Sequence, residues 1–169
     1  FYGKYLPRAP IFLVDKSLVG QLIASSAGLR HKQIFAFNPE GVDRVSLDYP
    51  DSTVNCEIDA TSNEWVVQSP PSRLVLRSNV ESLIRRASAM KAKGFVSENL
   101  DDSRKFGLDK PTVVAKFWKG TELRRRITVA AGDAVIYATM DSRPQVVVVY
   151  DNALDELKLE LIQKRTGSE

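Results

Sequence analysis

One cysteine and one histidine in 169 residues leave little material for covalent or metal chemistry. Cys56 alone closes no internal disulfide, which excludes a bridged framework and leaves the compartment open. With His31 as the one imidazole, the chain assembles neither a thiol–imidazole pair nor a metal cluster, and alternation places Cys56 in a core. The sequence also lacks a Gly-rich phosphate loop, a Gly-x-Ser-x-Gly elbow and a His-Glu-x-x-His helix, so no catalytic, cofactor or metal site is read from it. A hydrolase ranks third among the functions considered. No apolar run approaches membrane-spanning length, and no signal peptide is recognised. Because the chain starts at Phe1, it suggests an excised or processed piece whose membrane anchor would lie outside it.

What is present suits a folded domain. The chain is 43% hydrophobic, enough for one core or for one core plus part of a neighbour. Its 24 basic and 21 acidic residues leave a net charge of +3, a mild excess that argues against nucleic acid as the partner.

The pattern predicts a short buried strand at Ile11–Val14, a helix from Ser17 carrying Leu18, Leu22 and Ile23 on one face, and a strand over Lys32–Phe37. From Val42 the period is two: Val45, Leu47 and Tyr49 oppose Arg44, Ser46 and Asp48, and Val54, Cys56 and Ile58 oppose Asn55, Glu57 and Asp59. Trp65–Val67 completes a three-strand meander stopped by Pro70-Pro71. Ser78 and Glu81 have the spacing of a capping box before a helix reaching about Lys91, with Val80, Leu83, Ile84, Ala87 and Met90 inward. Gly94 then releases the chain into Phe95-Val96.

The corner Phe106-Gly107-Leu108-Asp109-Lys110-Pro111 organises the second half. Gly107 is expected at positive φ, Asp109 to bond a backbone N–H of the turn, and Pro111 to hold Lys110 extended. Four strands follow, near residues 113–118, 124–129, 135–139 and 146–149, and a closing helix is capped by Asp151 or Asn152 with Leu154, Leu157 and Leu161 inward. Ile11–Leu18 can be laid on Val147–Leu154 as apolar strand, Asp, two residues, Leu, helix, which predicts a tandem array. The expected units are residues 1–30, a strand-helix tail of a preceding repeat, 31–165, an α+β repeat domain, and 166–169, a disordered tail.

The Leu29–Lys32 segment, Trp65–Pro70, the Gly-Leu-Asp-x-Pro corner, Gly132, Tyr137 and the Val146–Val149 run resemble a bacterial family, domain-of-unknown-function family 4340 (DUF4340), from about Arg30 to Arg165. The resemblance implies a membrane-anchored protein with tandem extracytoplasmic copies, encoded beside ABC-transporter and gliding-motility-type auxiliary genes. It carries over no catalytic residue. The fold expected is α+β, antiparallel meanders with helices packed on one face.

Two functions are weighed. The first is a non-enzymatic extracytoplasmic interaction module of a membrane-anchored accessory protein, whose partner is a protein of a membrane complex such as an ABC-type permease or auxiliary subunit. The second is a polyanion-binding domain (glycan, lipid head group or nucleic acid) that uses a basic hairpin of Lys116, Lys119, Arg124 and Arg126 with Trp118 as a stacking platform. For those charges a protected edge hairpin is favoured over an anionic-ligand site, and Arg125, on the opposite face, needs a carboxylate or carbonyl or must snorkel to the edge. Asp101, Asp102 and Asp109 sit among Arg104, Lys105 and Lys110 and read as a solvated loop.

Overall fold

The computed structural model describes residues 2–4, 11–13, 32–101 and 103–163. The chain forms two compact units, Phe1–His31 and Lys32–Glu169. In the first, β1 (Tyr2–Lys4) pairs antiparallel with β2 (Ile11–Leu13), Gly3 opposite Phe12. The helix predicted from Ser17, His31 and the tail 166–169 lie outside the described residues.

The second unit is built on one antiparallel sheet of eight strands. Its members are β3 (Arg44–Tyr49), β4 (Ser52–Ile58), β5 (Trp65–Ser69), β7 (Ala92–Ser97), β8 (Val113–Lys119), β9 (Glu122–Ala131), β10 (Ile136–Met140) and β11 (Arg143–Val149). The spatial order is β5-β4-β3-β8-β9-β10-β11-β7. Both predicted meanders are present, and pairing of β3 with β8 fuses them, Val45 opposite Phe117 and Leu47 opposite Ala115. Period-two alternation drives this arrangement: Val45, Leu47, Val113, Ala115, Phe117, Ile127 and Val129 are all buried on one face. Helix α1 (Arg77–Ala89) lays Val80, Leu83, Ile84 and Ala87 into the same core. Cys56 lies there too, 1% exposed, and burial raises its thiol pKa to about 11. The architecture is mostly antiparallel β with few helices; no tandem copy is evident among the described residues.

Four local expectations are corrected. Residues 32–37 form no strand: consecutive Ile34 and Phe35 are both buried, and the Ala36 carbonyl accepts from Arg125 Nη2 at 3.0 Å rather than from a sheet neighbour. The α1 N-cap is Leu76, without a side-chain cap, so Ser78 and Glu81 form no capping box. The helix starts earlier because Arg77 is already held, by Glu64 at 3.6 Å, by Glu81 at 3.8 Å and by the Asn63 carbonyl. Gly94 lies inside β7 rather than before it.

The closing helix shrinks to one turn, α2 (Ala153–Glu156). Beyond it Leu157 and Leu159 are buried while Lys158 and Glu160 are exposed, and β12 (Ile162–Gln163) pairs with β6 (Arg73–Leu74). A Leu-x-Leu-x-Leu run satisfies a period of two as readily as a helical turn. Tertiary donors decide between them: Tyr49 Oη donates to the Leu157 carbonyl at 3.3 Å, Arg86 Nη2 to that of Lys158 at 3.2 Å and Asn79 Nδ2 to that of Glu160 at 3.4 Å. Each of these donors takes one of the two lone pairs of a carbonyl that a longer helix would use, and so favours the extended run.

Candidate functional site

Among the described residues, the face of the sheet away from α1 is covered at one end. There the corner packs Leu108 against Ala130 and Val146, and Phe106 meets Tyr137 edge-on at 5.2 Å. Gly107 has φ +68°, as its position in the turn requires, and backbone bonds from Gly107, Leu108 and Lys110 close the corner. The exposed Asp109 takes no part in them, contrary to the bond expected of it; amide-to-carbonyl bonds already satisfy the turn. Pro111 leads into β8.

The other end of this face stays polar and carries the basic hairpin. Lys116 stands opposite Arg126 across the β8–β9 ladder and opposite Ser46 across β3–β8. Its ammonium bonds Asp48 Oδ2 at 2.7 Å. Burial pushes the Asp48 carboxyl upward, but the Lys116 hydrogen bond and charge, with hydrogen bonds from Thr53 and Ser46, outweigh it and hold the group below the ordinary carboxylate range. Arg44 faces Trp118 directly and lies 4.7 Å over its ring, while its Nη2 donates to the Gly120 carbonyl at 3.4 Å. Arg124 pairs with Glu122 at 3.2 Å, and Glu57, opposite Arg44, accepts from Gln68 Nε2 at 2.8 Å. Arg126 is exposed and has no carboxylate partner among the described residues.

The fold therefore puts Lys116, Trp118 and Arg126 on one side of the sheet, leaves Arg124 at the register shift where Trp118 pairs with Leu123, and separates Lys119 from them. Lys119 lies across Gly41, where a Cβ would fall 2.9 Å from its Nζ; at φ +75°, glycine is what that crossing needs. Arg125 meets a carbonyl and a carboxylate rather than snorkelling, that of Ala36 at 3.0 Å and that of Asp141 at 3.6 Å, with Ser142 Oγ alongside. The hairpin is no edge: β8 and β9 are central, and the edges are β5 and β7. Register shifts occur in both edge pairings and also in the internal β8–β9 and β10–β11 pairings. Arg44 and Asp48 were visible as the polar phase of a strand, but nothing in the sequence placed that strand beside Lys116 and Trp118.

Among the described residues no group of three or more His, Cys, Asp or Glu side chains could hold a metal ion. No helix among them is long and apolar enough to cross a membrane. A family model described as Domain of unknown function (DUF4340) matches residues 65–166, more than half of the chain. It begins at Trp65, so β3 and β4 precede the matched span, and the resemblance read from about Arg30 extends beyond it. No curated protein matches the chain. No solved structure matches it either.

Proposed function

The chain belongs to the DUF4340 family, and from that premise we propose that it is a non-enzymatic interaction module, the extracytoplasmic part of a membrane-anchored accessory protein. Its partner is a protein of a membrane complex, an ABC-type permease or auxiliary subunit of an export or gliding-type machinery. The observation that carries this reading is the polar end of the sheet face. Its charges are mixed in sign, Arg44, Lys116, Arg124 and Arg126 against Asp48, Glu57 and Glu122, and several already neutralise one another. A broad face with fixed, alternating charge and one aromatic suits a protein surface of complementary pattern, which fixes register more than it adds affinity.

The test is co-purification of the full-length protein from its own membranes. The double variant Trp118→Ala, Arg126→Glu should lose its partner while keeping the unmodified circular dichroism, and the unmodified protein should keep it at high salt. A folded double variant that still co-purifies would overturn the reading. A polyanion is the second reading, favoured by Arg126 standing unpaired opposite Lys116. It predicts steeply salt-dependent binding to anionic vesicles, heparin-like glycans or DNA, weakened by Arg124→Ala with Arg126→Ala.

A further inference from the structure

On the opposite side of the sheet from Arg126, a groove of about 380 Å3 opens between the 38–41 turn, the start of β5 and the outer flank of α1. Its floor is apolar, made by Val42, Ile58, Trp65 and Ile84. One wall is braced: Asp59 accepts from the Thr61 and Ser62 amides at 3.1 and 2.8 Å, Asn63 takes φ +55°, and Arg77 ties that loop to Glu81 of the helix. The other lip is held by Asp43, whose carboxylate accepts from the Gly120 amide at 2.7 Å.

Four charged groups line the mouth, and two of them, Arg77 and Glu81, pair with each other. Glu40 and Arg85 remain on opposite lips, both exposed and without a partner of opposite charge among the described residues; Arg85 only donates to Ser82 Oγ at 3.1 Å. A volume near the small end of ligand sites, roughly 300–1,000 Å3, has room for one large apolar side chain with its backbone. A small acid would match Arg85 and be repelled by Glu40. A peptide carrying both signs matches both lips.

We propose that this groove takes one apolar or aromatic anchor residue of a partner's peptide segment, flanked by a basic residue over Glu40 and an acidic residue over Arg85. This rests on the reading of the chain as an interaction module, and it adds an anchor pocket of the kind that dominates many interfaces.

The test is a chemical-shift titration of the intact chain with the capped peptides Lys-Ser-Phe-Ser-Glu and Glu-Ser-Phe-Ser-Lys, their Phe-to-Ser counterparts, and phenylacetate. One charge order should saturably move the Trp65 indole N–H and the Gly41, Val42 and Ile84 amides, and its Phe-to-Ser counterpart should not. Arg85→Glu should weaken that peptide by about threefold or more, and a peptide with lysine in place of its glutamate should restore it. Absence of saturable shifts at these positions, equal binding of the Phe-to-Ser peptide, or phenylacetate binding as tightly would each overturn the proposal. Trp118 and Arg126 lie outside the groove. If their variant still releases the membrane partner while the peptides fail, the groove falls and the module stands.

Discussion

At the scale of single residues, Arg125 contrasts with the arginines on either side of it. Its side chain is 14% exposed and bridges the Ala36 carbonyl to Asp141, whereas Arg124 and Arg126 point into solvent. Arg125→Met should therefore lower stability by about 1–3 kcal/mol, because it strands a carboxylate and a carbonyl; Arg124→Ala and Arg126→Ala should stay within about 0.5 kcal/mol. Urea midpoints of the three variants check this. That Arg125 needed a partner was legible from alternation. Which partner was not, since residues 36 and 141 meet it only in the folded sheet. Asp48 supplies a pH dependence with a definite sign. Its folded pKa is depressed, so its contribution is complete above the unfolded carboxylate value of about 4 and is lost as pH falls through the lower folded value. Asp48→Asn should be less stable than the unmodified protein near neutrality and should converge on it in strong acid. Unfolding midpoints followed from about pH 7 to pH 2 would show this; a difference that stays constant with pH would contradict it.

At the scale of elements, the corner before β8 tests whether backbone conformation or space governs a turn. A Cβ on Gly107 would meet only Ala130 Cβ, at an ordinary 3.6 Å, so the expected penalty comes from φ +68°. Gly107→Val should cost about 1–2 kcal/mol or more. Gly94→Ala, in β7 with nothing within 4 Å of the added carbon, should be neutral or stabilising by up to about 1 kcal/mol. Thermal midpoints of the pair separate the two accounts, and a neutral Gly107→Val would remove the argument. Strands with clean alternation, such as β3, β4 and β8, were legible in the sequence because one face had to be dry. The start of α1 and the run after α2 were misread for a shared reason. Arg77 and the Leu157, Lys158 and Glu160 carbonyls are held by distant groups, and local spacing carries no record of them.

At the scale of the whole molecule, the chain divides into the units Phe1–His31 and Lys32–Glu169. Deleting residues 1–31 should leave Lys32–Glu169 with a single cooperative unfolding transition, because the eight-stranded sheet and α1 lie wholly within it. Calorimetry of the shortened chain is the check, and loss of the cooperative transition would assign the first segment to the larger core. The sequence by itself determined the two meanders, the helix between them, the buried thiol of Cys56 and the pivot at Gly107, since each follows from a local period or a single backbone requirement. Only the tertiary structure decided that β3 joins β8. That pairing bridges residues some seventy positions apart, places Asp48 under Lys116 and Arg44 over Trp118, and makes the basic hairpin the centre of a sheet rather than its edge. Antiparallel strands with one dry face can pair in several orders, and the choice is made by which order closes one core beneath α1.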